Sequence, residues 1–513
     1  MLSAGSFVLR PNQNSDKAIR MLLRMNICFS PTQSNLRRAR RAMGLAISVL
    51  ALSVMSAQSS LAETLQGALA SAYQYNPQLD AERARARAVD ENVSQAHGAF
   101  RPTISGNGSI TYQDTKTKPS SFNDGGNTSK NFNLSINQPI FRGFRSINGV
   151  NVAEAQVRAE REILRNTEQV ILIGAITAFM DTVRDQAILK LRENNQKVLA
   201  DTLKSTQDQF RVGEVTRTDV AQAEASLAAA VSAIELAKAN LKTSRATYER
   251  FIGHPPSNLT EPKPLNKMLP KSVNDAVSIA TQESPAVVSA LYNEQVARFN
   301  IELIRGELLP TVSVQGTYSD TDSPSRFVDE SRAATVTGNV SVPIYEQGIV
   351  YSRVRQAKHT QVAALQEVQR NKTEAQNAAI AAWSQQQAAR AQLASDRTAV
   401  ESNRIALAGV REEEKVGQRT KLDVLNAEQS FLNAQVNLVL TRRNVIVNDY
   451  ALLQAIGRLN MQELGGVSEI YDAEEHYFEV RRKWWGLDIT HANGRREHVD
   501  TWRTHGENHD SMK

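Results

Sequence analysis

The sequence is poor in the residues that punctuate or staple a globular chain. It has one cysteine in 513 residues, Cys28, so neither a disulfide framework nor a cysteine-based metal site is available to the rest of the chain. Glycine and proline number only 25 and 15, below ordinary usage. Residues 140–254 and 344–513 hold no proline at all. No apolar run reaches the 18 or so residues of a spanning helix, which excludes a polytopic helical membrane protein. Apolar content of 41% with 22% charged residues also excludes a disordered chain.

The charge balance of +6 invites a nucleic-acid reading that fails once the charge is located. Residues 1–62 carry eight cations against Asp16, a net +7, which leaves −1 for everything after them. Arg37-Arg38-Ala39-Arg40-Arg41, the apolar run 42–55 and Ser60-Leu61-Ala62 read as the three regions of an export signal, with cleavage before Glu63. Cys28 lies upstream of that cut, so the exported chain has no cysteine for lipid attachment. The expected product is periplasmic, secreted or a β-structured outer-membrane protein, with no nucleic-acid partner.

What is present is a duplication. Ala68-Leu69 through Asn76-Pro77 aligns with Ala276-Val277 through Ser284-Pro285, and Pro102-Thr103 with Pro310-Thr311. Pro139-Ile140-Phe141 aligns with Pro343-Ile344-Tyr345, and Ile252-Gly253 with Ile456-Gly457. The strongest match sets Val212–Glu224 against Val416–Glu428, identical at seven of thirteen positions. A period near 206 residues is too long for a small-unit solenoid, so whole domains are repeated. The expected division is a presequence over 1–62, a first repeat over 63–259, a proline-marked linker over 260–271, a second repeat over 272–460 and a polar tail over 461–513.

Each repeat should open with a helix, continue as a β-hairpin and then run as one very long helix, from about residue 145 to 209 in the first copy. Such a helix would be about 100 Å long. Leu227, Val231, Ile234 and Leu241, interrupted by Lys238, suggest a narrow packing seam. Residues 103–112, 131–141, 311–318 and 334–345 are expected as strands, with surface loops over 118–130 and 320–332. Tyr112, Phe132, Phe141, Tyr318 and Tyr345 would lie near their ends. Four strands cannot close a membrane barrel, and open edges are not tolerated in lipid. If the strands cross a membrane, several chains must share one barrel, and three chains give twelve strands.

In the repeated motif, Gly213 and Gly417 suit the left-handed residue that ends a helix. Thr216 and Thr420 suit the cap of the next helix, with Asp219 and Asp423 as the acids of a capping box. No catalytic constellation, P-loop or zinc motif is found, so the protein is read as a non-enzyme without cofactors. Five of the eight histidines fall in the tail (His476, His491, His498, His505 and His509) at spacings that fit no defined metal site, so a solvated tail is expected. Trp484-Trp485 after Arg481-Arg482-Lys483 fits a docking segment or an interfacial contact.

The exported duplication, paired hairpins, long helices and twice-repeated V-G-x-x-T-x-x-D-V-x-x-A-E resemble the TolC family of outer-membrane efflux and secretion channels. The resemblance covers about residues 63–460. It implies a mainly α fold with a small β part: a homotrimer whose twelve-stranded β-barrel lies in outer-membrane lipid and continues as an α-barrel tunnel across the periplasm. It also implies docking to a periplasmic adaptor and an inner-membrane transporter of the RND or ABC type, and the unlipidated branch that includes type I secretion ducts. By the resemblance, Asp423 falls on an aspartate that rings the pore entrance and Arg419 on an arginine tying neighbouring inner helices. Asp219 falls on the acidic residue of the adjacent tip, a partner for Arg419. A second aspartate ring of the family maps to Asn426, which halves the acidic charge expected there. The alternative is a periplasmic or surface coiled-coil adaptor without a channel.

Overall fold

The computed structural model describes residues 63–121, 124–265, 268–467, 470–490 and 496–497. The export signal, Cys28 and the histidines at 491, 498, 505 and 509 lie outside the described residues.

The duplication is visible element by element. The first copy runs α1 (Leu65–Tyr75), α2 (Pro77–Gly98), β1 (Thr103–Thr115), β2 (Gly125–Arg142), α3 (Arg145–Arg211) and α4 (Arg217–Ile252). The second runs α5 (Val273–Glu283), α6 (Pro285–Arg305), β3 (Thr311–Ser325), β4 (Val328–Ser341), α7 (Ile349–Lys415) and α8 (Lys421–Ala455). The two long helices, α3 and α7, each have 67 residues. Asn76-Pro77 and Ser284-Pro285 mark the same break in both copies. Asn76 ends α1 and caps α2 through a 3.0 Å bond from the Gln78 N–H, and each proline takes the first helical position, where no N–H is needed.

The long helices persist because nothing in them forces a stop. Their packing seams are small rather than broad. Along α4 the buried residues are Ala223, Ala230, Ile234, Ala237, Leu241, Ser244, Tyr248 and Ile252. Ile234 and Leu241 were expected there, whereas Val231 is 42% exposed and Lys238 is exposed. Alanines at 230 and 237 take the seam because α4 lies close against α3 along its whole length, and small side chains permit that approach.

The four strands form one antiparallel sheet in the order β1-β2-β3-β4. Its register separates the side chains cleanly. Ile104 pairs with Ile136, Gly108 with Phe132, Leu134 with Tyr318, and Gly316 with Val336, all on one face. Ser105 pairs with Ser135, Asn107 with Asn133, Gln315 with Thr337, and Ser313 with Asn339 on the other. The alternation that looks imperfect in single strands is regular once glycines are set beside their bulky neighbours.

Three strand expectations are corrected. The strands run further than expected, so Gly125–Lys130 and most of 320–332 are strand rather than loop. The second aligned proline leaves the sheet: β4 ends at Ser341, and Val342–Tyr345 are not strand. Pro139 stays within β2 beside a bulge. Neither proline can donate to the ladder. Phe132 and Tyr318 therefore sit mid-strand, at the upper border of the apolar face. Beyond them the same face turns charged, with Lys130 opposite Asp322 and Asp320 opposite Arg332.

The main core lies where α1 and α5 pack against the middle of the long helices. Leu69, Ile171, Ile176, Phe179, Tyr248, Leu452 and Ile456 are fully buried there. The linker is tied to it: the Leu265 N–H donates to the buried Asp449 carboxylate at 3.1 Å. The first part of the tail is not a free solvated segment. Met461 and Val480 are buried, His476 Nδ1 lies 3.1 Å from Asp90 Oδ2, and Arg481 reaches Glu154 at 3.1 Å. Arg161 meets Glu474 at 2.9 Å. These pairs lay α9 (Met461–Leu464) and α10 (Glu475–Val480) along the first repeat.

Candidate functional site

The two helical hairpins, α3–α4 and α7–α8, end in tips of the same construction. Gly213 has φ +84° and Gly417 φ +79°, a left-handed conformation in which glycine carries no Cβ penalty. The Gly213 N–H donates to Phe210 O at 3.1 Å and the Glu214 N–H to Gln209 O at 2.9 Å. Gly417 and Gln418 repeat both bonds on Glu414 and Glu413, each at 2.9 Å. This double closure satisfies the last carbonyls of each long helix. The chain restarts at once: Thr216 and Thr420 cap α4 and α8, and Asp219 and Asp423 return hydrogen bonds to them in complete capping boxes.

One oxygen does the capping in each aspartate. Asp423 Oδ2 accepts from the Thr420 N–H at 3.0 Å and from its hydroxyl at 2.9 Å. Asp219 Oδ2 accepts from the Thr216 N–H at 2.8 Å and its hydroxyl at 2.7 Å. Those bonds from Thr420, then the Arg419 charge, hold the Asp423 carboxyl below its ordinary range. Thr216, then Lys421, does the same for Asp219. Both aspartates are partly exposed, and with their carboxyls held low they are ionised at neutral pH.

The second tip is the charged one. Arg419 Nε donates to Glu413 at 2.9 Å, Lys421 Nζ lies 2.8 Å from Glu414, and Arg411 meets the buried Glu428 at 2.8 Å. Arg419 thus pairs with the helix preceding its own turn, not with Asp219. The structure brings Arg419 and Asp423 together on one tip, and the charge of Lys421 reaches Asp219 on the other. Sequence reasoning missed Glu413, Glu414, Lys421, Arg411 and Glu428. The signal was the run Arg411-Glu412-Glu413-Glu414-Lys415, which aligns with Gln207-Asp208-Gln209-Phe210-Arg211 and marks the second copy as different.

Above the tips a groove of about 600 Å³ runs between the hairpins, lined by Asp201, Ser205, Arg411, Glu412, Lys415 and Glu428. Among the described residues no cluster of histidine and acidic side chains could hold a metal ion.

Known proteins share this architecture. The family model described as "Outer membrane efflux protein" matches residues 68–254 and 276–458, one match per repeat. The outer membrane efflux protein BepC of Brucella suis biovar 1 is 38% identical over 440 residues, covering 86% of this chain and 95% of that protein. The outer membrane protein TolC of Escherichia coli is 22% identical over 429 residues, covering 81% and 86%. Among solved structures, the Campylobacter jejuni CmeC outer membrane channel superposes with a TM-score of 0.70 at 15% identity, over 82% of this chain and 89% of that one.

Proposed function

The chain belongs to the outer membrane efflux protein family and is an outer-membrane efflux and secretion channel; from that premise we propose that it works as a homotrimeric exit duct gated at its helical tips. The observation that carries the trimer is the sheet. β1 pairs only with β2 and β4 only with β3 among the described residues, so both edges are open. Its apolar face, with Ile104 at 65%, Ile110 at 75% and Val336 at 81% exposure, is left uncovered by the described residues. Lipid is the solvent that suits such a face, and in lipid every strand edge must be paired. Joining β4 of one copy to β1 of the next closes a twelve-stranded barrel, apolar outside and lined by serine, threonine and asparagine within.

The long helices then form the periplasmic tunnel and the tips its entrance. Three Asp423 carboxylates around the axis give a ring of about −3 that favours cations. Arg419 and Glu413 brace the second tip in its resting geometry, with Asp219 and Lys421 beside it. The polar groove above the tips supports a periplasmic adaptor as the docking partner, through which an inner-membrane transporter, RND or ABC, supplies the energy. The domain limits proposed from the sequence, 63–259 and 272–460, follow the two repeats.

Cell fractionation with crosslinking tests the assembly. A heat-sensitive trimer in the outer membrane that forms conducting channels in planar bilayers is expected. A soluble periplasmic monomer refutes the reading and favours the adaptor class.

A further inference from the structure

The run Arg481-Arg482-Lys483-Trp484-Trp485-Gly486-Leu487 combines cations and aromatics after the aligned repeats have ended. Its place in the fold is fixed. Arg481 is held by Glu154 of α3, and the Ser94 hydroxyl of α2 donates to the Lys483 carbonyl at 3.2 Å. The Arg101 guanidinium stacks 4.7 Å from the centre of the Trp484 ring. Arg101 is two residues before β1 begins, and its neighbour Phe100 accepts a 3.0 Å bond from Gln138 of β2. The run therefore stands at the helix-side end of the sheet, where the apolar band meets the periplasm.

At that level the side chains are open. Trp484 is 59% exposed, Trp485 85%, Leu487 53% and Ile489 52%. At the same end of the sheet Ile140 of β2 and Phe144, which precedes α3, are also more than half exposed. The cations converge with it: burial, then Arg481, Arg101 and Arg482, hold His97 below its ordinary range. Glu154 occupies Arg481, which leaves Arg101 and Arg482 without an ion pair among those the described residues form. The tail packs as an extra layer on α1, α2 and α3, and a duct needs an open lumen, so this layer lies outside the wall.

We propose that residues 481–489 form a foot that rests on the periplasmic leaflet of the outer membrane, with Trp484, Trp485 and Leu487 among the lipid headgroups and Arg101 and Arg482 on anionic phospholipid. The inference rests on the channel reading above. Tryptophan and arginine at the border of an apolar band are what a bilayer interface selects, because the ring is apolar at one end and hydrogen-bonding at the other. Cations add attraction to anionic headgroups. The place of the run beside the end of the lipid-facing sheet, fixed through Arg101 and Phe100, favours a bilayer over a protein partner.

The full-length chain has four tryptophans, so Trp383→Phe with Trp502→Phe leaves only Trp484 and Trp485 emitting. The trimer is reconstituted in phosphatidylcholine vesicles with rising phosphatidylglycerol, using brominated lipids as quenchers and ion conductance as the control for insertion. The expected result is blue-shifted emission, lost more to bromines near the headgroup than to bromines at mid-chain. Quenching should increase with phosphatidylglycerol, and Arg101→Gln with Arg482→Gln should remove that increase. Conducting vesicles with unquenched emission overturn the foot and leave the channel standing. Emission shielded from both bromine and aqueous iodide means a neighbouring chain covers the pair, which also overturns it. Vesicles that never conduct bring down the channel reading and the foot with it.

Discussion

Asp423 and Thr420 exchange hydrogen bonds in both directions: Asp423 Oδ2 accepts from the Thr420 backbone, and the Asp423 N–H lies 3.3 Å from the Thr420 hydroxyl. The cap consumes one carboxylate oxygen and leaves the other free. A residue that would be needed merely to start α8 is thereby also a fixed, partly exposed charge at the end of a hairpin. The gating role proposed for Asp423 would therefore not compete with its capping role.

That division makes the charge separable from the cap. Asp423→Asn keeps an acceptor for Thr420 and removes the charge. The expected outcome is an intact trimer whose reversal potential in a salt gradient moves toward non-selective, and Asp423→Ala should add weaker tip order to the same shift. An unchanged reversal potential removes Asp423 from the entrance ring.

The pH dependence follows from the depressed carboxyl of Asp423. A lowered value keeps the carboxylate charged through the ordinary carboxylate range, so cation selectivity should persist there as pH falls. It should vanish only in stronger acid, as the depressed value is crossed. Selectivity measured across an acid titration checks this, and loss at or above the ordinary aspartate range contradicts it.

Arg419 is braced by Glu413 of its own chain. If that pair holds the tip closed, Arg419→Ser and Glu413→Gln should each raise single-channel conductance, and the double variant should add little to either. Additive effects would mean that the two residues act on separate partners.

Asp449 is fully buried and accepts from Gln386, Arg390 and the Leu265 N–H. Asp449→Ala leaves the linker amide without its acceptor and Arg390 with only the Leu265 carbonyl, and should cost about 3 kcal/mol in denaturant unfolding. Asp449→Asn keeps an acceptor and should cost less. Equal losses would show that packing volume rather than hydrogen bonding matters at this position.

Gly417 and Gly457 both have positive φ, yet their surroundings differ. A methyl group on Gly417 meets nothing within 4 Å, so Gly417→Ala should cost only about 1 kcal/mol of backbone strain. On Gly457 it would lie 2.6 Å from Glu283 O, so Gly457→Ala should cost clearly more. Thermal unfolding of the two variants gives the order, and the reverse order would misplace the turn after α8.

The sequence by itself determined the repeats, the helices and the tips, because each of these is local. Proline-free tracts rich in helix formers have no reason to stop, so α3 ends within two residues of its expected end. V-G-x-x-T-x-x-D encodes a left-handed stop and a threonine cap within eight residues. What the tertiary structure decided are relationships between distant residues. The two-faced sheet appears only when Gly108 stands beside Phe132 and Gly316 beside Val336, since a strand's pattern is completed by its neighbours. Alanines rather than Val231 and Lys238 form the α4 seam, because the distance to α3 sets the side-chain size that fits. Arg419 finds Glu413 six residues back, across a turn that reverses the chain. The tail's place on α2 and α3 depends on pairs such as His476–Asp90, 386 residues apart, which no local pattern can announce.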